Sequence, residues 1–219
     1  MVDLGVNHYK VHLHKGKKTL YIIRHGETDF NRNNIVQGSG VDTHLNDLGL
    51  TQAQQFFQAF QDFPFQKVYT SALKRSIQSV QGFINLGIPH ETFSELNEIG
   101  WGDFEGKEQT DEQREHYWHI VNRWKTGDEH AKIPNGESPF ELQERQRRVL
   151  EHILNQPDEH VVLICMHGRA LKSFICLLLG HPISKMEEFP HTNLGLYVVE
   201  IEDGKASLVI RNDATHLEN

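Results

Sequence analysis

Apolar and polar positions along this chain follow two different periods, and the alternation between them sets the expected architecture. Short continuous apolar runs bounded by turn residues mark residues 20–23, 67–70 and 161–166 as buried strands. Between them the period lengthens. Ala53, Phe56, Phe57 and Phe60 recur at helical spacing, as do Leu73, Ile77, Val80 and Ile84, and later Leu171, Phe174, Ile175, Leu178 and Leu179. Two more helices are expected, one around Tyr117, Ile120, Val121 and Trp124, the other over residues 137–154 with Val149, Leu150 and Ile153 facing inward. Residues 194–201 and 206–210 flank Glu202-Asp203-Gly204-Lys205 and read as a hairpin. Strands alternating with helices predict an α/β fold, a three-layer sandwich whose largely parallel central sheet is flanked by helices. A ligand crevice should then open at the carboxyl ends of the strands.

Composition narrows this picture. The 219 residues contain no Pro/Gly/Ser-rich linker, so residues 19–219 read as a single domain preceded by residues 1–18 as an N-terminal extension or edge strand. A hydrophobic share of 37% beside a charged share of 24% allows a sizeable core. The net charge of −8 argues against a nucleic-acid partner. No stretch approaches the roughly 20 apolar residues of a membrane span, and the N-terminus lacks the apolar stretch of a signal peptide. Only Cys165 and Cys176 are present, both in apolar runs. The expectation is a cytoplasmic protein without disulfides and without a membrane partner. Fifteen histidines raise the question of a metal, but they are scattered; the alternating His12 and His14 read as part of an exposed strand or arm, and no metal site is expected.

The chemistry collects at two strand ends. Tyr21-Ile22-Ile23-Arg24-His25-Gly26 and Leu163-Ile164-Cys165-Met166-His167-Gly168 both close an apolar strand with His-Gly. Each glycine permits close backbone approach, and the turn after His167 runs into a helix whose first N–H groups favour an anion. Arg24 precedes the first histidine, and Arg75 stands where a strand passes into a helix, although its position alone would favour a solvated helix residue. Two guanidinium forks beside two imidazoles match a tetrahedral dianion. Glu95 and Glu98 add carboxylates ahead of Gly100-Trp101-Gly102.

Arg24-His25-Gly26-Glu27-Thr28, with Asn31, Gln37-Gly38, Leu45 and Gly49 at matching spacing, resembles the opening signature of the histidine phosphatase superfamily, in its phosphoglycerate mutase-like branch. The likeness continues through Ser71 to Arg75, Glu98 to Gly106, Gly136-Glu137-Ser138 with Arg145, and His167-Gly168, and covers nearly everything after residue 19. The resemblance implies that His25 is a nucleophile carrying a covalent phosphoryl group, that Glu98 is the general acid with Glu95 as a substitute, and that His167 completes the catalytic set. It implies phosphate binding by Arg24, Arg75, Asn31, Gln37, Gly38 and Gly168, and no metal, since arginine and imidazole supply the electrostatic stabilisation.

The substrate implied is a small phosphorylated metabolite. Val36-Gln37-Gly38 and Glu98-Ile99-Gly100-Trp101-Gly102 look more like the small-molecule phosphatases of the family than its mutases. Two alternatives stay open: a phosphoglycerate mutase, which would need 2,3-bisphosphoglycerate as cofactor where a phosphatase needs none, and a catalytically silent phosphate-binding scaffold. A homodimer is one option for the assembly. Three departures lie near the site: Phe30 stands where Trp is usual, Ile35 where Arg is common in phosphatase-like members, and one extra residue separates Gly38 from Asp42. Arg169 and Lys172 add positive charge after His167, which could favour a substrate with a second anionic group, although Lys172 alone reads as a solvated helix residue. Specificity is expected in the segment from about residue 106 to 134.

Overall fold

The computed structural model of the chain describes residues 16–218 and the backbone of two short segments, β1 (Val2–Asp3) and β2 (Lys10–Val11), which pair antiparallel. His12 and His14 lie outside the described residues.

Six further strands form one sheet around β3 (Lys18–Arg24). On one side of β3 lies β6 (Val161–Met166), parallel to it, followed by β4 (Lys67–Ser71) and β5 (His90–Phe93), also parallel. On its other side, β7 (Leu196–Glu202) runs antiparallel to β3, and β8 (Lys205–Asp213) antiparallel to β7. The order β5-β4-β6-β3-β7-β8 is therefore a parallel four-stranded block extended by a hairpin. Asp203 and Gly204 turn that hairpin with φ of 48° and 79°, the left-handed pair that a tight two-residue turn requires.

Side-chain alternation assigns the layers. Leu20, Ile22, Val162 and Ile164 point to one face of the sheet, where α5 (Asp111–Lys125), α6 (Pro139–Leu154) and α7 (Gly168–Leu179) cover them. Ile23, Leu163 and Cys165 point to the other, against α2 (Asp47–Phe60), α3 (Lys74–Ser79) and α4 (Gln81–Asn85). Both faces of the parallel block are buried, which is why those strands read as unbroken apolar runs. Helix α6 begins at Pro139 behind Ser138, whose hydroxyl accepts from Glu141 N while the Glu141 carboxylate accepts from Ser138 N. A short α1 (Asp29–Arg32) follows Thr28, which caps it in the same reciprocal way with Asn31.

Two elements differ from expectation. The helix read through Leu73, Ile77, Val80 and Ile84 is two helices, broken at Val80 with φ −120° and ψ 13°. Ser79, just before the break, donates its hydroxyl to Arg75 O and accepts from Gly26 N, while Gly82 lies so close to Phe57 that a Cβ would meet its ring at 2.5 Å. The bend serves those two contacts, neither of which leaves a periodic signal. Strand β5 is only half-buried and polar, and no apolar run announces it.

Candidate active site

Because β3 and β6 are adjacent and in parallel register, with Arg24 opposite Met166, the residues that follow them leave the sheet side by side. His25 N donates to Met166 O at 3.0 Å, and the imidazole rings of His25 and His167 lie 5.0 Å apart between centroids. His25 Nδ1 is 2.7 Å from Gly26 O. A carbonyl oxygen can only accept, so Nδ1 carries the proton and the Nε2 lone pair is free. Burial, and then the Arg75 and Arg24 guanidinium groups, hold the pKa of His25 well below the usual imidazole range, so the ring is neutral at neutral pH. His167 is held down in the same way, by burial first and then by Arg75, His25 and Arg24. Its Nε2 lies 2.7 Å from Ser71 Oγ, which also accepts from Leu73 N. A Ser71 hydroxyl that donates to Nε2 would leave the His167 proton on Nδ1, which is buried and has no partner.

The two arginines are braced from behind. Arg75, fully buried, donates Nη1 to Val41 O at 2.6 Å and Nη2 to Gly38 O at 3.3 Å. Burial lowers its pKa to about 10, which leaves the guanidinium charged at neutral pH. Arg24 donates Nη1 to His191 O at 2.9 Å and lies 3.2 Å from His191 Nδ1. The Nε atoms of both arginines are buried without a partner. With His167 Nδ1 they make three buried nitrogens without partners, and the charges of both arginines act on His25 and His167. Unmet buried polar atoms are costly in a folded protein, and a bound anion would offer acceptors to the two arginines.

Glu98 faces this cluster from the segment after β5. Its Oε1 accepts from Ile99 N and Ala170 N at 2.9 and 2.8 Å, and its Oε2 accepts from Arg169 N at 3.0 Å. The first N–H groups of α7, expected to favour an anionic ligand, are thus taken by this carboxyl group. Arg145 fixes the segment that carries it, donating to Glu95 O and Glu98 O at 2.6 and 3.0 Å while forming a two-pronged pair with Glu137. Glu95 turns its own carboxylate to the Ser94 hydroxyl.

The remaining expected site residues are placed less directly. Asn31 Oδ1 accepts from Thr28 N at 3.2 Å and lies 3.4 Å from Asn193 Nδ2, which leaves its amide N–H groups as what it can offer a ligand. Gln37 is engaged at both ends, donating to Thr28 Oγ1 and accepting from Thr43 Oγ1. Gly38 presents its carbonyl to Arg75, and a Cβ there would run into the Glu105 carboxylate. Gln37 and Gly38 therefore brace Thr28 and Arg75. Gly26 and Gly168 are needed for neighbours in the fold and not only for a ligand. A Cβ on Gly26 would lie 2.7 Å from Gly49 O, and one on Gly168 would lie 3.2 Å from the His191 ring. Among the described residues, no three His, Cys, Asp or Glu side chains are grouped so as to hold a metal ion.

A family model described as histidine phosphatase superfamily (branch 1) matches residues 20–214. The chain belongs to the histidine phosphatase superfamily. Relatives within this superfamily include a Hydrogenobacter thermophilus protein assigned as phosphoserine phosphatase 2, 26% identical over 91% of this chain and 97% of its own. A Yersinia pestis protein assigned as a phosphoglycerate mutase is 29% identical over 84% of this chain and 85% of its own. Among solved structures, the alpha-ribazole phosphatase of Shigella flexneri superposes with a TM-score of 0.79 at 27% identity, covering 90% of this chain and 96% of that one.

In this histidine phosphatase, sequence reasoning passed over His191 and Asn193. Both come from the loop ahead of β7, where Asn193 Nδ2 donates to His25 O at 2.8 Å and Leu194 N donates to Arg24 O at 3.0 Å. Burial, then Arg24, Lys172 and Arg169, push His191 down to about 3, so it is neutral. A His-Thr-Asn run opening a strand was the available signal, but polar residues in a loop are too common to single out. Arg75 and Lys172, each of which could pass for a solvated helix residue, are both buried. No described helix is long and apolar enough to cross a membrane.

Proposed function

We propose that this histidine phosphatase is a metal-independent phosphomonoesterase that dephosphorylates a small metabolite through a phosphohistidine at His25. The observation that carries the reading is the Nδ1–H···O=C bond from His25 to Gly26, which leaves Nε2 unprotonated in a ring 5.0 Å from that of His167 and under the charge of both arginines. Nε2 attacks phosphorus and the bond from phosphorus to the ester oxygen breaks. As Nε2 takes on the phosphoryl group, the imidazole becomes cationic and its Nδ1–H bond to Gly26 O strengthens. Arg24, Arg75, Asn31 and His167 Nδ1–H stabilise the equatorial oxygens, the part that metal ions take in kinases. Glu98, in its protonated form, gives its proton to the departing alkoxide. The resulting carboxylate then takes a proton from the water that breaks the N–P bond, releasing phosphate and restoring His25.

Turnover of p-nitrophenyl phosphate in excess EDTA, with a radiolabelled phosphoenzyme trapped by alkaline quench, tests the reading. His25→Ala should abolish both while the circular dichroism spectrum is kept. Near-normal turnover by that variant, or activity lost to EDTA and restored only by a divalent cation, would overturn it. The mutase alternative keeps the same first step, and interconversion of phosphoglycerates that depends on 2,3-bisphosphoglycerate would favour it.

A further inference from the structure

Another carboxylate bears on the phosphate cluster without a part in the steps above, that of Glu105, just past the 3-10 turn Gly102–Phe104. Its charge acts on Arg75, and in return the charges of Arg75 and Glu98 act on it. Glu105 Oε1 accepts from Trp101 N at 2.7 Å, and Gly40 N donates to the same carboxylate. One half-buried group therefore ties the loop of residues 38–41 to the segment that carries Glu98. Next to it, Gly106 N donates to Val36 O at 2.9 Å and closes the same junction.

The loop is shaped around this carboxylate. A Cβ on Gly38 would lie 1.9 Å from Glu105 Oε1 and 2.6 Å from Ile99 O, and one on Gly40 would lie 2.6 Å from Glu105 Oε2. Neither glycine has a positive φ, so it is space, and not backbone conformation, that calls for glycine at both. On either side of the gripped Gly40 N–H, Gly38 O and Val41 O accept from Arg75 Nη2 and Nη1. Burial raises the carboxyl pKa of Glu105, and the Trp101 and Gly40 N–H groups and then the Arg75 charge oppose the rise. The ionised form is thus favoured by the same contacts that brace the loop.

Resting on the phosphatase reading above, we infer that Glu105 is a positioning residue, whose carboxylate fixes the backbone of residues 38–41 and, through Gly38 O and Val41 O, the direction in which Arg75 meets the phosphoryl group. Position and charge pull in opposite senses here. A negative charge near Arg75 repels an incoming oxyanion, so removing the charge alone tightens anion binding. Removing the brace loosens it, because the Arg75 donors lose their fixed direction.

Isothermal titration of the full chain with tungstate, a tetrahedral oxyanion with no ester to hydrolyse, separates the two. In Glu105→Gln the amide keeps one acceptor and turns its NH₂ against the other backbone N–H. Tungstate should then bind at least about tenfold more weakly, the share of one charge-assisted hydrogen bond. In an Arg75→Lys background the same substitution should cost less than about threefold, because lysine lacks the fork that spans the two carbonyls. Should Glu105→Gln not fold, Glu105→Asp keeps the charge on an arm one methylene shorter and should show the same loss and the same dependence on Arg75. Where the lysine background binds too weakly to titrate, hydrogen exchange of the Arg75 Nε–H in the free protein decides. That signal, assigned by its loss in Arg75→Lys, should exchange at least about tenfold faster in the Glu105 variant. Unchanged or tighter binding in the Glu105 variant overturns the positioning role, as does an equal loss in both backgrounds, an unchanged exchange rate, or no tungstate binding by the unmodified chain. Hydrolysis of p-nitrophenyl phosphate by the same preparation keeps the two failures apart. Activity with an overturning titration sinks the role of Glu105 alone, whereas no activity sinks the phosphatase reading while the titrations still decide Glu105.

Discussion

Replacing Glu98 by Gln separates a chemical role from a structural one, because the structure says what the amide would meet. The carboxylate accepts three backbone N–H groups, two on Oε1 and one on Oε2. A glutamine can keep only one oxygen. Its best orientation leaves that oxygen on Ile99 N and Ala170 N and turns its NH₂ toward Arg169 N, donor against donor at about the present 3.0 Å. One buried N–H then loses its acceptor, at a stability cost of roughly 1–3 kcal/mol. That penalty is independent of the substrate. The chemical effect is not: nitrophenolate leaves with little need of a proton, whereas an alkoxide needs one in the transition state. General acid catalysis contributes roughly 10²- to 10⁴-fold, so phosphorylation by an alkyl phosphate should fall by about that factor while p-nitrophenyl phosphate falls by less than about tenfold. The assay is single-turnover phosphorylation in a rapid-quench apparatus, since in the proposed mechanism Glu98 also serves the later hydrolysis and steady-state rates would mix the two steps. An equal loss for both substrates refutes the acid role, and Glu95 would be the next residue to change.

Gly49→Ala tests the packing behind His25, the proposed nucleophile. A Cβ there would sit 2.1 Å from Glu27 O, so α2 must back away from the His25-Gly26-Glu27 backbone. The expected result is about 1–3 kcal/mol of lost stability with turnover of p-nitrophenyl phosphate down about 100-fold; unchanged kinetics would refute it. Lys18 gives a pH test. It is buried at the end of α6, donating to Ile153 O and Gln156 O, and burial lowers its pKa to about 8 from 10.5. The unfolded chain therefore binds more protons between those values, so stability from this group should rise as pH rises from about 8 to 10.5. Denaturant unfolding at the two pH values should show the unmodified protein gaining roughly 1–3 kcal/mol relative to Lys18→Met, and a flat or falling difference would contradict the assignment.

What was legible in the sequence is what local chemistry dictates. Strands buried on both faces have to be apolar throughout, which exposed β3, β4 and β6, and the left-handed turn at Asp203-Gly204 exposed the hairpin. Two His-Gly strand ends with Arg24 and Arg75 marked the site, because polar groups at the mouth of an apolar sheet have few other uses. The rest depended on contacts between distant segments. A periodic pattern cannot tell that Ser79 must reach Gly26 and bend a helix, or that the half-buried, polar β5 pairs with β4. Nor could it place His191 against Gly168, or give Lys172 its burial beside Glu187. Local pattern shows which residue types can handle a phosphoryl group and on which strands they end. The fold alone places the proton on His25 Nδ1, the three amides on Glu98, and Arg169 and Lys172 against Glu187. Hydrogen-bond partners and desolvation are set by what the fold brings within about 3 Å, and no local pattern encodes that distance.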